Sequence, residues 1–133
     1  KGKKIEALET LDFQLNILYN SSSLQRQAQL LVCGLSDIPQ AINDLKRLTE
    51  AYIAQNLNLM LKISEERRGN SCDPSPREME SMITARNQTW AKKLPTLIET
   101  APSFIAVGAL HLPGEEGLIN LLRAQGYQIE AVW

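Results

Sequence analysis

The sequence predicts an α/β fold: a small, mainly parallel sheet from strands near residues 3–8, 103–108 and 127–132, with a large helical insertion over 11–100. Three observations predict it. Phe104 to Val107 is a short apolar run with aromatic and β-branched members between Pro102 and Gly108, the pattern of a strand buried on both faces. Glu115 to Gln125 then carries leucines and an isoleucine at helical spacing, and Gly126 precedes a second β-like run, Tyr127 to Val132. Such a strand-helix-strand unit closes as a right-handed crossover between parallel strands. Between Leu11 and Leu94 the apolar residues recur at helical rather than alternating spacing.

In chain order, Lys3 to Leu8 reads as a strand by composition. Thr10 caps a helix from Leu11 to about Tyr19, with Asp12 in the first turn. Ser22 and Gln25 have capping-box spacing before a helix with Leu24, Ala28 and Leu31 on one stripe, which Gly34 is expected to end. Asp37 and Gln40 repeat the pattern, with Pro39 in the first turn and Ile38, Ile42, Leu45, Leu48, Tyr52 and Ile53 expected to face inward. A further helix covers Leu57 to Ile63. Gly69 to Ser75 is a loop by its Gly, Asn, Ser, Asp and Pro content. Ser75-Pro76-Arg77-Glu78 starts another helix with a capping box and proline at its first position, and Pro95 is expected to stop it.

Composition narrows the functional classes. The 133 residues suit a single domain, and a formal charge of −1 with 14 basic and 15 acidic residues gives no basic footprint for nucleic acid. No apolar run approaches the length of a membrane-spanning helix. Because the first residue is not methionine, a targeting segment is expected to have preceded it. Cys33 and Cys72 are two free thiols or one bridge, and the spacing excludes a zinc motif.

His111, the one histidine, follows the carboxyl end of the predicted strand 103–108, where α/β sheets place ligands. The plainer reading is a partly buried histidine with one hydrogen bond. Arg86 falls on the apolar stripe of Met79, Met82, Ile83, Trp90 and Leu94. An inward guanidinium needs a carboxylate or a bound anion; the alternative is an arginine whose head reaches solvent at the helix edge. Glu9, at the end of the first predicted strand, is the carboxylate the topology offers. Together the three residues suit metal binding, general acid/base work and oxyanion stabilisation.

Several segments in this order, Lys4 to Thr10 followed by Gln14, Ala51 to Leu57, Arg86-Asn87-Gln88-Thr89-Trp90-Ala91, Val107 to Gly114, and Leu121 to Tyr127, resemble the TraB/PrgY/GumN family, to which the TIKI-type metalloproteases are related. The resemblance spans nearly the whole chain. It implies a metal-dependent hydrolase acting on peptides, with two G-x-x-H motifs, a glutamate and an arginine as the residues of interest. The second G-x-x-H falls on Gly108 and His111, the glutamate on Glu9 and the arginine on Arg86, with Asn87 and Gln14 as substrate-binding candidates. The first G-x-x-H is missing, so the chain resembles the C-terminal part of a larger domain of this family, and it is expected to be inactive alone.

The candidate metal ligands are His111 and Glu9, with Glu115 and Glu116 behind them. So carboxylate-rich a set favours manganese or cobalt over zinc. A peptide or small-molecule substrate, a periplasmic or secreted location and a second copy covering an open sheet edge complete the expectations. Two other function classes stay open: a protein that binds a peptide or small ligand without chemistry, and an accessory protein of envelope or polysaccharide physiology.

Overall fold

Local capping chemistry sets where the helices begin. In a computed structural model, which describes residues 2–132, helix α1 (Leu11–Leu15) starts where the Thr10 hydroxyl accepts from the Phe13 amide, and it widens into a π-type turn over Asn16–Asn20. Helix α2 (Leu24–Ser36) is capped by Ser23, one residue later than its sequence pattern suggests, and it runs past Gly34. Asp37 breaks the chain with φ −143° and ψ 68°, and its carboxylate caps α3 (Ile38–Ile53). Asn56 caps α4 (Leu57–Glu65). The Ser75–Glu78 capping box opens α5 (Pro76–Met79), which passes through a π-type turn, Glu80–Thr84, into α6 (Ala85–Thr100). A 3₁₀ turn, Ala109–His111, and α7 (Leu118–Ala124) complete the elements.

The structure corrects the predicted α/β class. Among the described residues every regular element is helical, and residues 3–8, 103–108 and 127–132 form no strand and no parallel sheet. Strand content is a property of pairs: a β-like run needs a neighbouring backbone to complete its ladder. Here Leu8 and Val107 pack on the helical core while Ile5 and Phe104 are each 96% exposed. No two of the three segments lie in register. The apolar run around Phe104, read as doubly buried, is therefore mostly on the surface, and the open sheet edge expected to bind another copy does not exist.

Pro95 is the second correction. It was expected to stop α6, yet the helix continues to Thr100. A proline inside a helix leaves the carbonyl four residues earlier without its donor. That carbonyl belongs to Ala91, and the Gln125 side-chain amide donates to it at 3.2 Å. α7 thus repairs α6 across their shared interface.

This interface is the core. Trp90, Ala91 and Leu94 of α6 and Leu118 of α7 are buried together, with Leu8, Leu97, Val107, Leu121 and Leu122 packed around them. Gly126, at φ +94°, ends α7: its amide donates to the Arg123 carbonyl and the Tyr127 amide to the Leu122 carbonyl, the double bond of a glycine-terminated helix. On the other side, Cys33 and Cys72 form a disulfide that ties α2 to the loop before α5. Arg26 reinforces it with a bidentate pair to Glu78, Nε–Oε1 2.8 Å and Nη2–Oε2 3.0 Å.

Candidate functional site

Arg86, Asn87 and Trp90 leave α6 on one side because residues three and four apart share a helix face. Opposite them the 3₁₀ turn delivers His111, and Glu9 arrives from the residue preceding the cap of α1. Arg86 grips Glu9 with two parallel hydrogen bonds, Nη2–Oε1 2.6 Å and Nε–Oε2 3.1 Å. The pair is largely dry, with side chains 12% and 10% exposed. Its third nitrogen, Nη1, donates to the Met82 carbonyl at 3.0 Å and lies 3.3 Å from His111 Nε2. The guanidinium carbon is 4.8 Å from the centre of the Trp90 ring, within cation–π range.

Asn87 is fully buried and determines the state of the imidazole. Its amide nitrogen donates to the carbonyls of His111 (3.1 Å) and Glu116 (2.7 Å). Its Oδ1 is therefore left as an acceptor, 2.7 Å from His111 Nδ1. The proton of a neutral imidazole then sits on Nδ1, and Nε2 presents its lone pair to Arg86. Trp90 packs beside the ring, centroid to centroid 4.6 Å. Glycine is required behind this loop: a Cβ on Gly117 would lie 2.2 Å from the Pro113 carbonyl oxygen.

Electrostatics follow the geometry. Burial lowers the His111 pKa, the Arg86 charge lowers it further, and Glu9 only partly opposes them. The ring is held neutral. Burial by itself would raise Glu9, but hydrogen bonds and charge from Arg86, helped by Gln14 and Trp90, outweigh it and hold the carboxyl below its ordinary value.

Of the residues singled out in the sequence, Glu9, Arg86, His111 and Asn87 meet at this cluster, and Gln14 enters only by helping to lower the Glu9 pKa. Glu115 and Glu116 do not join them. Glu115 lines a neighbouring groove with Leu61, Pro113 and Arg123, and the Glu116 carboxylate accepts from Gln88 at 3.1 Å. Trp90, on the apolar stripe and in the segment that carries the family resemblance, is no candidate site residue in the sequence, yet its place four residues beyond Arg86 puts it under the guanidinium. The resemblance implies Asn87 as a substrate contact; in the structure its amide nitrogen and oxygen are bonded within the chain, to His111 and Glu116.

A metal finds two donors here, His111 Nε2 and Glu9, and Arg86 already occupies both. Among the described residues no group of three or more His, Cys, Asp or Glu side chains is placed to hold an ion. These two donors are fewer than the three protein ligands of an open catalytic site.

The family model described as TraB/PrgY/gumN matches residues 1–131. No curated protein and no solved structure matches the chain. With the match covering nearly its whole length, the chain belongs to the TraB/PrgY/gumN family.

Proposed function

We propose that this member of the TraB/PrgY/gumN family contributes the Glu9–Arg86–His111 cluster to a peptidase-like hydrolytic site. The observation that carries the reading is a buried imidazole held at Nδ1 by Asn87, with Nε2 facing a guanidinium that a carboxylate fixes. Once substrate draws Arg86 Nη1 away from it, His111 Nε2 takes a proton from the attacking water as the water oxygen adds to the scissile carbonyl, and returns it to the leaving amine. Arg86 Nη1 offers a fixed positive charge to the oxyanion that develops. Glu9 holds Arg86 in place, and Asn87 holds the ring in the tautomer this step needs. A divalent ion, manganese or cobalt rather than zinc, would supply Lewis acidity if His111 and Glu9 held it, and would then take the Nε2 lone pair from its role as base. Two donors under an arginine do not make a site, so no step is assigned to the ion. The Cys33–Cys72 bridge supports an oxidising location, periplasmic or secreted.

Cleavage of a mixed peptide pool tests this, with manganese, cobalt or chelator present, using both this chain and a longer natural product that contains it. The reading predicts hydrolysis that requires the longer product and is lost in His111→Ala. Activity unchanged by that substitution rejects the mechanism. A second reading is ligand binding without chemistry; absence of hydrolysis under every metal, with a peptide-dependent rise in melting temperature, would favour it.

A further inference from the structure

The apolar stripe of α6 meets the core, unlike that of α3, where Ile42 and Leu45 are 62% and 64% exposed although their spacing predicts an inward face. Trp90 lies on the α6 stripe, 4% exposed, and packs with Ala91, Leu94 and Leu118. Four residues separate it from Arg86 and three from Asn87, so all three share one face of the helix. The same indole reaches the charged and titratable members of the site. The Arg86 guanidinium carbon lies 4.8 Å over its ring centre, and the His111 ring is 4.6 Å away, centroid to centroid, tilted by 48°. With Arg86, the indole outweighs the burial that would raise the Glu9 pKa.

Packing alone does not call for tryptophan here. A core position accepts other apolar side chains of similar volume, but only an aromatic ring offers a cation its negative face. Arg86 has a use for that face. Its guanidinium is planar, and the partners of its nitrogens hold it by the rim: Glu9 at Nε and Nη2, the Met82 carbonyl at Nη1. Hydrogen bonds at the rim fix where the nitrogens sit, but they tolerate a broad range of out-of-plane angles. Contact on the face resists tilting directly. Substrate entry makes this matter, because Nη1 must leave His111 Nε2, 3.3 Å away, while the fork to Glu9 stays closed. The indole contact has no single bond to break, so it persists through that exchange.

We propose that Trp90 is a positioning residue of the site: its indole holds the planes of Arg86 and His111 in place as Arg86 Nη1 passes from His111 Nε2 to the oxyanion of the substrate. The role rests on the hydrolytic reading; the packing that carries it does not. Trp90 acts through Arg86 and His111 and touches no reacting atom.

Trp90→Phe and Trp90→Leu separate this role from core filling, because phenylalanine keeps an aromatic face and leucine keeps apolar bulk alone. Both are assayed for peptide cleavage in the longer natural product that contains this chain, at a temperature where parent and variants are fully folded. The proposal expects Trp90→Leu to lower kcat by about tenfold with KM unchanged, and Trp90→Phe to recover most of the loss. A parent that cleaves peptides while the two variants share one kcat leaves Trp90 a core residue and overturns this proposal alone. A parent that cleaves nothing overturns the hydrolytic reading and this role with it. A second measurement needs no substrate and decides the packing where Trp90→Leu does not fold. In metal-free buffer the Arg86 Nε–H proton of this chain should be displaced upfield by the indole ring current, and rotation of its Nη groups about Nε–Cζ should be slow. An undisplaced proton or freely rotating Nη groups in the parent would overturn the proposal whatever the cleavage assay gives, as would guanidinium motion that Trp90→Leu leaves unchanged.

Discussion

Arg86 is the residue on which the site turns, because a charge that cannot be neutralised lies on an apolar stripe. Sequence periodicity was enough to demand a buried partner for it, and Glu9 takes that place from 77 positions away. What periodicity could not show is the role of Asn87, since its three bonds depend on where the 111–116 loop passes. Arg86→Ala strands a buried carboxylate and should cost about 3–5 kcal/mol of stability, measurable by urea denaturation; Arg86→Lys should recover only part of it, for lack of the two-pronged geometry. Acid sensitivity follows from the same cluster. His111 has a lowered pKa in the fold, so the unfolded chain takes up a proton first as pH drops through 6.5, and stability falls. Glu9 has a lowered pKa too; its contribution is complete above 4.5 and is lost as pH falls through its depressed value. Both act in one direction, so denaturant midpoints should decline in two stages on acidification, and Glu9→Gln should remove the lower one that this pair contributes. Glu78, lowered to about 2 by Arg26 and the Ser75 amide, adds to the lower stage in either protein.

At the scale of elements, the helices were legible because their start signals are local. A hydroxyl or carboxylate three residues ahead of an amide is enough, and Thr10, Asp37 and Ser75 each act as caps. Helix ends were less legible. Gly34 and Pro95 both looked like stops, yet a glycine costs a helix only about 1 kcal/mol, and the bond lost at Pro95 is replaced from α7. Gln125→Ala should therefore lower stability by about 1 kcal/mol through α6, a helix it does not belong to. Hydrogen exchange should show faster opening around residues 91–97. The disulfide closes a 39-residue separation, so reducing it should cost about 2–4 kcal/mol, seen as a lower denaturation midpoint in dithiothreitol. Reduction should loosen α2 and leave the Trp90 core in place.

For the whole molecule, the predicted sheet failed for a reason that no single segment carries. Residues 3–8, 103–108 and 127–132 have β-like composition, but a ladder is a relation between segments, and here Leu8 and Val107 pack on the α6–α7 core, Tyr127 and Ile129 hydrogen-bond to Glu99 and Arg123, and no strand forms between them. The hydrophobic pattern likewise said which residues of α3 share a face but not whether that face meets the chain's own core or solvent. The predicted sheet was to bring Glu9 and His111 to one rim; in the structure charge and hydrogen bonding around Arg86, not a sheet, bring them together. Its central claim is that His111 is kept neutral, with its proton on Nδ1 and Nε2 facing Arg86. The chain has one histidine, so a pH titration of its imidazole nitrogen resonances in metal-free buffer reads that claim without assignment. The account predicts an Nδ1–H tautomer and a midpoint below 6.5 that rises in Arg86→Ala. A midpoint at or above 6.5 that Arg86→Ala leaves in place, or a proton found on Nε2, would contradict it.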